Sequence, residues 1–184
     1  MDGASAIRTP RLIAYTHHQG HTNMYPDIAR AHGLAVELIA RYDIAGPPVD
    51  IVGLARKLNI SLISTKFRDN IAHSIRAVFT PETHNIHFNT NLDTPEFFVT
   101  IARLIGVHLL YPHNTDEYFN AVWAHPNNPR RPEDDILDAF VSYLLIDRIQ
   151  LEYFYRNEES IEPLPSVFLV PMSWITYALS SISV

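Results

Sequence analysis

The sequence predicts one α+β domain, in which a small antiparallel sheet packs on a central helix within a helical body. Three observations point there. Apolar residues fill 47% of the 184 positions, enough for one ordinary core without covalent staples. Several stretches repeat apolar residues at three- and four-residue steps, the period of a helix face. Between two of them lie short apolar runs separated by turn residues, the pattern of paired strands.

Residues 1–24 show no clean period and are expected to form a flexible arm ahead of a domain spanning 25–184. His17, His18 and His21 in that arm read as polar-tail residues, with adventitious metal capture as the alternative. From Asp27 the residues Ile28, Ala31, Ala35, Leu38, Ile39 and Tyr42 line one helical face. Gly46-Pro47-Pro48 stops that helix. Asp50 then caps a second helix, Ile51 to Leu58, with Val49 and Leu54 as a hydrophobic staple. Strands are expected over Ser61 to Phe67, Ile75 to Thr80 and Ile86 to Asn89, with a turn at Pro81 to Asn85. Thr94-Pro95-Glu96 marks a helix start: a capping hydroxyl, a proline in the first turn and a carboxylate at the positive end of the dipole. The helix to Leu110 is apolar nearly all round and is therefore central. After a Pro- and Asn-rich loop, Glu133-Asp134-Asp135 opens a long helix to about Tyr155, with a buried stripe running from Ile136 to Ile149. Glu158 to Pro165 reads as a linker, and Val167 to Ile182 as a short turn and helix.

Composition excludes several functions. There is no cysteine, so disulfides, thiolate metal sites and a cysteine nucleophile are impossible. A net charge of −6 argues against a broad electrostatic grip on nucleic acid. The N-terminus has no signal-peptide pattern, and no apolar run reaches the roughly 18 residues of a membrane span. A cytoplasmic protein is expected. Neither a glycine-rich phosphate loop nor a Gly-x-Ser-x-Gly elbow is present. Glu158-Glu159 reads as solvated charge, and Arg130-Arg131 as a surface pair.

Five phrases follow one another along the chain. Pro48-Val49-Asp50-Ile51 leads into a helix ending Lys57-Leu58-Asn59-Ile60. A strand ends Ile86-His87-Phe88-Asn89. The central helix carries Thr100, Ala102, Gly106, Leu109 and Leu110 in a fixed frame. Asp138-Ala139-Phe140-Val141 and then Phe168-Leu169-Val170 close the series. In this order they resemble the ImmA/IrrE family, zinc-metallopeptidase-like proteins of bacteria and their mobile elements. The likeness runs over residues 27–182. It implies a zincin-like fold.

Metallopeptidase chemistry needs two histidines one helical turn apart to grip zinc, and a glutamate between them as general base. A third ligand comes from the later helix. At the positions matching the family's motif this chain has Arg103, Leu104, Val107 and Ile136. Three of these have no donor atom and the fourth is a cation. The resemblance therefore implies a pseudopeptidase with no metal and no cofactor, which regulates by binding. The expected partner is a helix-turn-helix regulator or similar protein, in transcriptional or phage-type control. It would dock along a peptide-binding edge strand, His84, Asn85, Ile86, His87, Phe88 and Asn89. Arg103 is expected to pair with a carboxylate such as Asp138 or Glu96.

Two other readings stand beside this one. A metallopeptidase could use relocated ligands among His108, His113, His125 and the acidic residues, although His108 sits about 100° round the helix from the metal face. His84 and His87, three apart by a strand, should point to opposite faces. A DNA-binding module could use Pro171 to Ser181, yet residues 160–184 hold no Lys or Arg to meet phosphate. Trp174, Tyr177 and Leu179 could pack a homo-oligomer or close the core.

Overall fold

The first apolar face becomes α1, Met24–Arg41, which begins three residues before the expected Asp27. The computed structural model describes residues 24–68, 73–112, 116–117, 120–124, 130–157 and 160–181; the expected N-terminal arm lies outside them apart from Met24, and its three histidines lie outside them entirely. Ala31 and Ala35 are fully buried and Leu38 nearly so. The two alanines let α1 lie along α4, Pro132–Leu145, which it contacts most extensively. Gly46 takes φ +51 in the turn that follows, a conformation open to a residue without Cβ. Asp50 caps α2, Ile51–Lys57, as expected: the Gly53 N–H donates to its Oδ1 at 2.8 Å.

The sheet differs from expectation in three ways. The strands are β1, Ser61–Thr65, β2, Ile75–Thr80, β3, Asn85–Asn89, and a short fourth, β4, Ala121–Trp123. Their order is β1-β3-β2-β4. First, the sheet is mixed rather than antiparallel: β1 runs parallel to β3, with Leu62 opposite Ile86. The β2–β3 hairpin and the β2–β4 pair are antiparallel. Second, the proposed peptide-binding edge of His84, Asn85, Ile86, His87, Phe88 and Asn89 is not an edge. β3 is bonded on both sides, so its backbone is already used. The connection after β1 carries the chain past the β3 position, and the hairpin then returns β3 into the gap. Third, β4 was not foreseen; it lies ahead of the Pro- and Asn-rich loop, in a stretch given no element. Among the described residues, the open edges are β1 and β4.

The central helix is α3, Thr94–Leu110. Its cap is Asp93, whose Oδ1 accepts from the Glu96 N–H at 2.8 Å, so Thr94 and Pro95 sit inside the first turn. Carboxylate and hydroxyl are both good caps, and the choice between neighbours is made by backbone geometry. Buried residues surround α3, as its composition required. Gly106 packs against α4: a Cβ there would stand 2.7 Å from Phe140 Cδ1 and 3.2 Å from Leu137 Cδ2.

The long helix expected from Glu133 to Tyr155 is two helices, α4 and α5, Arg148–Arg156. The break comes at Asp147, whose Oδ1 accepts from the N–H groups of Ile149 at 2.9 Å and Gln150 at 3.2 Å. Restarting the helix rotates the stripe: Leu151 is buried while Ile149 is 81% exposed. The expected linker before Pro165 already contains the start of α6, Leu164–Phe168, and α7, Met172–Ser180, ends the described chain. Ile175 and Ala178 of α7 face the core, and Tyr177 lies on its exposed side. Arg148 holds this helix by its C-terminal end: Nη1 donates to Ala178 O at 2.6 Å and Nη2 to Ser142 Oγ at 3.0 Å. Its guanidinium lies 4.3 Å from the Tyr143 ring centroid, and Tyr143 stacks on His32 at 4.0 Å. No described helix is long and apolar enough to cross a membrane.

Gly106→Ala tests the α3–α4 contact. Alanine improves helix propensity by about 1 kcal/mol, but overpacking against fully buried Phe140 costs about 1–3 kcal/mol. The denaturation midpoint should fall with the slope unchanged; a rise would show that the contact yields.

Candidate functional site

An apolar central helix gives a charged side chain few places to go. Arg103 leaves α3 on the side facing α4, with only 18% of its side chain exposed. Asp134 and Asp138 stand one turn apart on α4, so both project toward it. Nη1 of Arg103 donates to Asp138 Oδ1 at 3.0 Å, and Nη2 donates to Asp134 Oδ1. A planar guanidinium suits this role because its two terminal nitrogens diverge to reach two carboxylates.

Each carboxylate has a second partner. Asp134 Oδ2 accepts from the Arg131 backbone N–H at 2.9 Å, which satisfies one of the free donors at the start of α4. Asp138 Oδ2 accepts from Arg130 Nη2 at 2.5 Å. Arg130 Nε reaches Asp135 Oδ1 at 2.7 Å, and Arg131 Nη1 reaches Asp116 Oδ2 at 2.9 Å. Arg130-Arg131 is therefore part of an ion network rather than an isolated surface pair. Burial pushes the Asp138 carboxyl up from its ordinary value, while Arg103 and Arg130 hold it down. Tyr111, at the end of α3, is pushed up to about 12, first by burial and then by Glu133 and Asp27. It is neutral at physiological pH.

Arg103, Leu104, Val107 and Ile136, the four positions that the resemblance sets against a metal and its base, do not fit a zinc ion. Leu104 is fully buried, and Val107 and Ile136 are 1% and 7% exposed within the core cluster. Arg103 is held by two aspartates. Such a set offers a cation no lone pair and offers water no base. What it can do is fix α3 against α4 and neutralise the acidic start of α4. Of the two expected partners of Arg103, Asp138 is one. Glu96 instead pairs with Arg76 at 2.6 Å. Asp134, read only as part of the acidic start of α4, also makes an ion pair. Its four-residue spacing from Asp138 carried that signal.

The histidines disperse, with one exception. His87 Nδ1 lies 3.1 Å from Thr65 Oγ1, toward β1. His84 turns the other way, so the expected divergence holds. It meets His108 edge-on, with ring centroids 5.2 Å apart. Burial, and then His84, lower the His108 pKa. His113 and His125 lie outside the described residues. Among the described residues no group of three or more metal-binding side chains converges.

No family model matches the chain, and no curated protein matches it either. Among solved structures, the chain is similar to a Mycobacterium tuberculosis transcriptional regulator, with a TM-score of 0.54, 14% identity and 85% of this chain covered. The chain spans about half of that structure, 47% of its length. At such identity the likeness is one of fold: an α+β arrangement.

Arg103→Ala would leave two largely buried carboxylates without their shared cation. The expected loss is about 3–5 kcal/mol in a chemical denaturation curve. Asp138→Ala should then cost less in that background than alone, because the shared contact is already gone. Strict additivity would show that the pair is not coupled.

Proposed function

We propose that this chain is a catalytically inactive relative of the ImmA/IrrE metallopeptidases, a zincin-like domain that regulates by binding a protein partner without cutting it. One observation carries the reading: a guanidinium clamped by Asp134 and Asp138 stands at the helix position that the resemblance assigns to the first zinc-binding histidine. The cation that joins the central and later helices is covalently part of the chain. Apolar side chains at Leu104, Val107 and Ile136 complete the replacement. Regulation is also in keeping with the structural neighbour, a Mycobacterium tuberculosis transcriptional regulator. On this reading the partner is a helix-turn-helix regulator or a protein like it, and the setting is the cytoplasm.

Because β3 is enclosed, a partner segment adding to the sheet would have to join β1 or β4. β1 has the longer free edge and carries Ile63, 36% exposed. Direct DNA binding has less support. The α6–α7 region lacks Lys and Arg, and Arg148 is committed to the end of α7.

Zinc analysis tests the reading from both directions. The purified chain should hold no stoichiometric zinc and cleave no peptide; tight zinc together with cleavage would overturn the inactive assignment. Restoring the motif by Arg103→His, Leu104→Glu, Val107→His and Ile136→Glu should create a zinc site, seen as metal retained on gel filtration. If that variant keeps its helical spectrum but binds no zinc, the correspondence with the metallopeptidase motif is wrong.

A further inference from the structure

Apart from the ion network, two titratable side chains that are distant in sequence meet at the C-terminal end of α3. His108 comes from the helix, and His84 from the turn between β2 and β3. They line a cavity of about 70 Å³ together with Phe79, Val107, Tyr111 and Asn120. The His108 ring packs edge-on against His84 at 5.2 Å and against Phe79 at 5.4 Å.

His84 is held where it is by its backbone. It adopts φ +52, and its N–H donates to Pro81 O at 3.3 Å. Its carbonyl accepts from the Ser61 N–H at 3.0 Å, so the turn also anchors the first residue of β1.

Among the described residues, no compensating anion lines this cavity. From β2 it meets Phe79, from the turn Pro81 and His84, and from α3 Val107 and Tyr111, whose phenol is neutral. Asn120 comes from the approach to β4. The nearest acids along these segments, Glu82, Asp116 and Glu117, are not among the lining residues, and Asp116 is paired with Arg131 at 2.9 Å. A proton on half-buried His108 would place a cation against the His84 ring within a partly apolar wall.

We propose that His84 and His108 form a proton-operated latch, which holds the Pro81–His84 turn closed on α3 while His108 is neutral and releases it when His108 takes up a proton. The sign follows from linkage. His108 is lowered by burial and by His84, so the open form binds its proton more tightly. Closure is complete above about pH 6.5, the ordinary value of a free imidazole, and is lost as the pH falls below it. The Ser61 bond to His84 passes this opening to the start of β1, the free edge of the sheet.

Hydrogen exchange on the full chain, corrected for intrinsic rates, reads the latch directly. Between about pH 7.5 and pH 5.5 the amides of Ser61 and His84 should lose protection by about tenfold or more, while those of α4 keep theirs. His108→Phe keeps an aromatic ring but cannot titrate, and should abolish the acid effect. His84→Asn tolerates positive φ and should abolish it independently, which covers the case in which the first variant folds poorly. An acid-induced loss that persists in both variants, or no loss in the wild-type chain, would overturn the proposal.

Discussion

Arg103 brings a full positive charge into the interface between two core helices, and the arrangement around it follows from that. A guanidinium with so little exposure must be matched, and α4 supplies the match twice, with carboxylates one turn apart. Each carboxylate is then tied to something else. Asp134 closes the start of its own helix, and Asp138 draws Arg130 inward. Arg130 and Arg131, just before α4, are thus fastened to the same point that sets how α3 and α4 meet. Just past it, Gly106 lets Phe140 against the helix backbone. Polar matching at one turn and close packing at the next fix the spacing and the rotation of the pair.

An ion pair of this kind contributes little net stability compared with well-packed apolar residues, because desolvation offsets much of the attraction. What it contributes is discrimination. Any sliding of α4 along α3 would strand a buried charge. On the proposed reading, Arg103 makes the union that a bound metal makes in a metallopeptidase.

Much of this was legible beforehand. The small residues and apolar steps of α1, the Asp50 cap and the β2–β3 hairpin are local features, written in a few adjacent residues. The pairing of Arg103 with Asp138 was also foreseen, since a charge on an apolar helix has to find an opposite one. Other elements misled for identifiable reasons. Apolar periodicity ran across the α4–α5 boundary because Asp147 is a cap set within a continuous stripe. Alternation in β3 indicated a strand, but it is silent on whether that strand has one neighbour or two.

By itself, the sequence determined the α+β class, most element types and that Arg103, Leu104, Val107 and Ile136 offer zinc no donor, because each depends on side-chain identity and short-range spacing. Tertiary structure alone decided that β3 lies inside the sheet, that Asp134 shares the Arg103 guanidinium, and that His84 meets His108. These are encounters between segments separated by tens of residues, and their outcome rests on how the whole core closes.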